Sequence, residues 1–185
     1  PDHQVLDAPT FGSSSSGNFC TMNPISISTE SSVTSLEGNL FLDGSTTSPG
    51  NYEAGKLCTM GVRSGKWYWE VYLSGGGATT TGQGWSVGIA STGDLQAVSS
   101  GAGPRCGAAA NGYAFSNYAS LGIYHNNSVT SYGSAPANTD IIGFALDLSS
   151  PGSGSFTIYR NNSSLGVAVN GSIADAHWVP YIGLQ

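Results

Sequence analysis

The chain has 185 residues, a formal charge of −6 and only 5 Lys plus Arg, and charged side chains make up 9% of it, against about a quarter in ordinary domains. So few cations leave no basic patch to displace counterions from phosphates, which excludes nucleic-acid binding and disfavours anionic membrane surfaces. No run approaches the ~18 apolar residues of a membrane span and no signal peptide opens the chain, so no membrane insertion is expected.

With Pro as its first residue, the sequence is expected to be a fragment or a processed piece of something longer. The length suits one large all-β domain, with or without a tail. With 27 glycines, 8 prolines and polarity carried by Ser, Thr and Asn, turns are favoured over helix. Residues 1–24 have little periodicity and read as a lead-in, in which short extended pieces at 5–10 and 18–24 flank the flexible run Ser13-Ser14-Ser15-Ser16-Gly17. Short strands are predicted over 25–28, 32–35 and 39–42, closed by Asp43-Gly44, and over 57–62 after a polar loop at 45–55.

Ser64-Gly65 turns into the most informative stretch, residues 65–74. Trp67, Trp69, Val71 and Leu73 alternate with Lys66, Tyr68, Glu70 and Tyr72, which places one set on each face of a half-buried strand. Each large apolar side chain contributes about 1.5–3 kcal/mol when buried, so this strand anchors a core. After a glycine-rich loop, Trp85, Val87 and Ile89 alternate in the next strand, which is expected to be its antiparallel neighbour. Residues 92–112 show no regular pattern, and a loop of that length inside a domain tends to be functional or mobile.

Two hairpins follow, 121–125 with 128–132 around Asn126-Asn127, and 156–160 with 163–167 around Asn161-Asn162. Asn tolerates the positive φ that a two-residue hairpin turn demands. Between them, Ile142, Phe144, Leu146 and Leu148 share one face of a strand over 140–148. A last strand at 178–184 contains Pro180, which argues for an edge position or a bulge. About a dozen strands with turn signals every 8–12 residues predict an all-β, antiparallel two-sheet sandwich.

Chemistry is sparse. Cys20, Cys58 and Cys106 have no C-x-x-C spacing and read as free, partly buried thiols, with a Cys20–Cys58 bridge left open. His3, His125 and His177 are isolated, and no nucleophile elbow, zinc-protease or phosphate-loop motif occurs. Glu70 and Asp147 are the two carboxylates inside predicted strands and the only pair placed for glycosidase work, with hydrogen bonding to Lys66, Arg63 or turn amides the better reading. Asp43, Asp94 and Asp140 lack the spacing of a calcium loop, so neither metal nor cofactor is expected. The four tryptophans fall in strand patterns and read as core. Tyr113, Phe115, Tyr118 and Tyr124 gather near the irregular segment, where core or rim packing is favoured over ligand stacking.

Five blocks in order, Gly65-Lys66-Trp67-Tyr68-Trp69-Glu70-Val71, Trp85-Ser86-Val87-Gly88-Ile89-Ala90, Ile141-Ile142-Gly143-Phe144-Ala145-Leu146-Asp147-Leu148, Phe156 to Asn161 and Val179-Pro180-Tyr181-Ile182-Gly183-Leu184, resemble the SPRY domain. The resemblance implies a bent, concanavalin-like jelly-roll sandwich, here assigned to residues 25–185. Thr139 stands where that family commonly has glycine before the aspartate, and Asn161-Asn162 replaces Asn-Gly at the turn. The lead-in Asp7-Ala8-Pro9-Thr10, then Asn18-Phe19-Cys20-Thr21-Met22-Asn23-Pro24 and Gly38-Asn39-Leu40, is similar to segments that precede SPRY domains in bacteriophage structural proteins.

These resemblances imply a non-enzymatic module on a virion surface, as capsid decoration or as part of a tail fibre or spike. Other virion proteins, or a host-surface glycan or receptor, would be its partners in a symmetric, homo-oligomeric assembly. SPRY domains bind through loops on a rigid scaffold. Loops 74–84 and 91–112, with 133–138, are therefore expected to form one contact surface at one end of the sandwich. Its candidate binding residues are Thr80, Gln83, Asp94, Arg105, Tyr113 and Tyr118. The alternatives are a lectin-like carbohydrate-binding domain of a secreted or cell-surface protein and, behind it, a polysaccharide-degrading enzyme.

Overall fold

The structure is a computed structural model that describes residues 11–13, 16–17, 19–24, 34–44, 54–74, 84–91, 106–107, 110–117 and 120–184. Two antiparallel sheets carry the fold. The larger has the order β10-β9-β8-β7-β14-β5, formed by Ser128–Ser131, Gly122–His125, Gly112–Ser116, Trp85–Ser91, Trp178–Leu184 and Ala54–Leu57. The smaller has the order β13-β12-β11-β6, formed by Ser163–Ile173, Gly154–Arg160, Ile141–Asp147 and Lys66–Tyr72. Two short hairpins, β1 (Phe11–Ser13) with β2 (Ser16–Gly17) and β3 (Thr34–Leu36) with β4 (Phe41–Asp43), precede them. The described residues contain no helix, and the architecture is the all-β sandwich expected.

The alternation in β6 sets the core. Trp67, Trp69 and Val71 lie opposite Leu146, Phe144 and Ile142 of β11. Trp69 stacks on Phe144 at 5.5 Å and 14°, and Phe144 on Phe156 of β12 at 5.4 Å and 16°. From the larger sheet Val87, Ile89, Phe115, Ile123 and Trp178 close on this layer to form one core. Trp85 meets Phe115 edge-on at 5.1 Å. Both Asn-Asn turns have φ between 47° and 65° at each residue, as the left-handed hairpin turn requires.

Two expectations need correcting, and of the edge position or bulge predicted at Pro180 the structure has the bulge. β7 does not pair with β6. It crosses to the larger sheet and lies between β8 and β14, because every residue of Trp85–Ser91 is buried and needs cover on both faces. The strand foreseen at 57–62 is instead β5, which ends at Leu57, with isolated bridges from Cys58 to Met22 and from Val62 to Trp178. β14 is an inner strand. Pro180 fits there because the chain beside it bulges: residues 179–180 span the interval that 58–61 span opposite, between the pairs Tyr181–Leu57 and Trp178–Val62. Its carbonyl still accepts Cys58 N–H at 2.8 Å. The strand foreseen at 25–28 lies outside the described residues.

Strand directions define two ends. Residues 72–74, 84–85, 116–117, 120–122, 131–141 and 160–163 meet at one, here the first end. Residues 64–66, 91, 106–107, 110–112, 125–128, 147–154 and 173–178 meet at the other. Contacts between the sheets agree, since Tyr132 Oη donates to Gly166 O at 2.6 Å at the first end and Tyr113 Oη to Ser172 O at 3.2 Å at the opposite one.

Phe144 is fully buried inside the aromatic stack. Phe144→Ala is expected to lower unfolding free energy by about 3–5 kcal/mol, read from the midpoint shift in urea at unchanged slope.

Candidate interaction surface

The first end carries a loop, residues 133–140, built by side chains from two neighbouring strands. Pro136 is fully buried and pins its middle. Asp140, 6% exposed, lies at its close. Its carboxylate pairs with the Arg160 guanidinium at 2.6 Å, accepts Ala137 N–H at 2.6 Å and accepts Asn161 Nδ2 at 2.7 Å. Arg160 also donates to Ser134 Oγ at 3.3 Å and Ala135 O at 3.2 Å. Burial by itself pushes the Asp140 carboxyl up, but the Asn161 and Ala137 donors and the Arg160 charge outweigh it and hold the group below the usual carboxylate range.

The departures from the familiar pattern sit in this cluster. Asn161 is more than a turn residue: its Oδ1 accepts Ile141 N–H at 2.9 Å while its Nδ2 serves Asp140. Thr139 has φ +79°, a left-handed backbone that a β-branched residue resists and glycine takes freely. It is held there by Thr139 N–H to Leu73 O at 2.8 Å and Leu73 N–H to Asp140 O at 3.0 Å, which tie the loop to the end of β6.

Beside the loop lies the outer face of the smaller sheet. Tyr68, Tyr72, Ile141 and Val167 are exposed there, with Tyr72 directly opposite Ile141 where the sheet meets the loop. Tyr68 crosses Gly143 and meets Tyr159 edge-on at 6.1 Å, and its hydroxyl donates to Glu70 Oε1 at 2.9 Å. A Cβ on Gly143 would stand 2.2 Å from that hydroxyl, so only glycine lets the ring lie across the strand. Rigid, amphipathic tyrosines of this kind suit protein contact.

Of the sequence-predicted binding residues, only Tyr113 is described. It is 6% exposed, with its ring stacked on His125 at 4.0 Å and packed against Trp178. It is a core residue of β8, not a contact residue, and burial raises its phenol above the ordinary range. Thr80, Gln83, Asp94, Arg105 and Tyr118 lie outside the described residues. Most of loops 74–84 and 91–112 also lies outside the described residues; of the described residues that flank them, Ser74 and Gly84 stand at the first end with residues 133–140, and Ser91 and Gly112 at the opposite one.

The other site candidates also resolve. Asp147 lies opposite Lys66, with Nζ at 3.0 Å, and Glu70 is four residues further along β6, so their positions on the sheet are about 13 Å apart. That exceeds the 5–9.5 Å glycosidase range. Asp140 is committed to Arg160 and Asn161, and the described residues hold no cluster of His, Cys, Asp and Glu suited to a metal ion. Sequence reasoning passed over Arg160 as an anchor and the even-numbered residues of β6 as a surface. The alternation that put Trp67 and Trp69 inside was the signal for Tyr68 and Tyr72 outside.

A sequence profile of the SPRY domain matches residues 66–185. The chain belongs to the SPRY domain family. SPRY domains are protein-interaction modules, generally without catalysis. Solved structures with the same fold include the human HERC1 SPRY domain (17% identity, TM-score 0.55, 72% of this chain and 75% of that one) and the TRIM65 PSpry domain (16%, 0.65, 88% and 83%). Stonustoxin matches as well, at 20% identity and TM-score 0.63, over 88% of this chain and 25% of its own. A comparison with curated protein sequences returns no match.

Asp140→Asn is expected to lower stability by about 2 kcal/mol at pH 7 by removing charge-assisted bonds. A carboxyl held below its unfolded value contributes stability that is present above about pH 3.9 and lost as pH falls through the folded value. The difference between wild type and variant in urea titrations should therefore shrink below about pH 4. Thr139→Gly, which relieves the left-handed strain, should raise stability by about 1 kcal/mol in the same assay.

Proposed function

We propose that this SPRY domain is a non-enzymatic binding module on the surface of a bacteriophage-type virion, and that it holds its protein partner with residues 133–140 and the adjoining Tyr72 and Ile141. The observation that carries the surface is the loop itself. Arg160, Asp140 and Asn161 hold it in place through five polar contacts beside exposed tyrosine, and a pre-ordered loop loses little entropy on binding. The virion setting is supported by the lead-in's likeness to phage structural proteins and by a lysine-poor surface rich in Ser, Thr, Asn and Gly. Capsid decoration and a tail fibre or spike are the two placements in view, each in a symmetric, homo-oligomeric array with other virion proteins.

Crosslinking mass spectrometry and cryo-electron microscopy of the native particle test this directly. The expected result is density for the chain with crosslinks at its first end, and a particle lacking the chain would end the virion reading. In a binding assay with the crosslinked partner, Tyr72→Ala combined with Ile141→Ser is expected to weaken affinity at least tenfold, about 1.4 kcal/mol, at unchanged melting temperature. His125→Ala at the opposite end should leave affinity unchanged. A host-surface glycan is the second reading, favoured by the exposed rings of Tyr68 and Tyr72. On a glycan array it requires binding that is lost in Tyr68→Ala.

A further inference from the structure

The last residues of the lead-in are bonded to the larger sheet. Asn23 N–H donates to Leu57 O at 2.7 Å, Thr59 N–H to Thr21 O at 2.8 Å, and Met22 N–H to Asn39 O at 2.9 Å. The first two bonds flank Met22 and Cys58, which makes these an antiparallel pair of the close, non-hydrogen-bonded kind. Cys20 precedes Met22 by two residues, so it shares the face of Met22 and Cys58 and is the diagonal neighbour of Cys58. The two thiols are close enough to act on each other: Cys58 is the main influence on the Cys20 thiol, and the polar groups of Met60 and Thr59 act in the same direction. Neither is oxidised, and both are only partly covered.

We propose that Cys20 and Cys58 are a redox-responsive thiol pair that closes to a disulfide and staples the lead-in to the sheet. This inference is independent of the partner and setting proposed above. The donors collected by Cys20 favour its thiolate, with Cys58 the first of them, and bring it to about 6, whereas Cys58 is pushed up by giving its proton to Cys20 and by burial. Cys20 is thus the attacking sulfur and Cys58 the resolving one. With a hydroperoxide as oxidant, the Cys20 thiolate attacks the distal oxygen, the O–O bond breaks, and the leaving oxygen takes a proton to depart as water or alcohol. Cys20 is left as a sulfenic acid. Cys58 then attacks that sulfur, the S–O bond breaks, and the released hydroxide leaves as water with the Cys58 proton. Two thiols lose two electrons and the peroxide gains them. Cys106 stays outside this chemistry: it is buried, and its thiol donates to Ile89 O at 3.3 Å and Tyr113 O at 3.4 Å.

The test uses the whole chain, reduced and then exposed to one equivalent of hydrogen peroxide at pH 7, alkylated and digested with trypsin. Cleavage after Lys56, Arg63, Arg105 and Arg160 places the three cysteines in three different peptides. The expected product is peptide 1–56 joined to peptide 57–63, 2 Da below the sum of the two, with Cys106 alkylated. The bridge closes a loop between residues 20 and 58, so melting temperature should rise by about 5 °C or more. The rate of bridging should fall as pH is lowered through about 6. In Cys58→Ser, dimedone should trap the Cys20 sulfenic acid. Recovery of both cysteines alkylated, bridging to Cys106 or between chains, a Cys20 sulfinic acid beside a free Cys58, or a bridge that leaves melting temperature unchanged would overturn the proposal. A bridging rate that still climbs tenfold between pH 7 and pH 9 would do so as well.

Discussion

The stack of Trp69, Phe144 and Phe156 is the constraint from which the remaining structure follows. It joins three adjacent strands of the smaller sheet through one side-chain layer. Because side chains alternate with a period of two, a one-residue slip of β6 against β11 would drive Tyr68 and Glu70 into the core and both tryptophans into water. The register is therefore fixed by burial. Once it is fixed, the outer face is determined too: Tyr68 lies opposite Ala145 and leans over Gly143, while Tyr72 faces Ile141 at the margin of the loop. The scaffold and the proposed contact face are two sides of one pairing.

Order at the first end has a cost that is met locally. An ion pair between a nearly buried carboxylate and a partly exposed guanidinium adds little net stability once desolvation is counted. Its effect lies in geometry. Arg160 comes from β12 and Asp140 from the entry to β11, so their contact holds the loop to two strands whose spacing the aromatic stack has already set. The unfavourable φ of Thr139 persists because Leu73 brackets it on both sides with backbone bonds.

Fold class was legible in the sequence because the strongest signals there are local. The alternation of Trp67 through Leu73 and the Asn-Asn turns each specify structure within ten residues. Pairing partners are not local, and nothing between Trp67 and Ile89 states which sheet the second strand joins. The natural guess of adjacent strands failed because β7 is buried on both faces, a condition that Val87-Gly88-Ile89-Ala90 fits but does not announce. Pro180 left edge and bulge open for a related reason. An imide in an inner strand is tolerated only if the neighbour bulges, and that bulge lies some 120 residues away at 58–61. The loop at 133–140 was only partly legible for the same reason. Loop length is visible in sequence, but the end from which a loop emerges depends on strand direction, and Arg160 becomes an anchor only once Asp140 has been folded against it.

The lead-in gains a different meaning from these contacts. β5 is the outermost strand of the larger sheet, and an uncovered edge invites pairing with other chains. Residues 21–23 lie along its continuation, with Met22 buried and bonds to Leu57 and Thr59 on either side. Residues 21–23 of the lead-in therefore belong to a hydrogen-bonded ladder with 57–59. A crosslink between Cys20 and Cys58 would stiffen that junction without touching the surface proposed for binding, because β14 and β7 stand between β5 and the strands that carry Tyr132 and the loop behind it. The thiol pair and the 133–140 loop are separated by the width of the larger sheet.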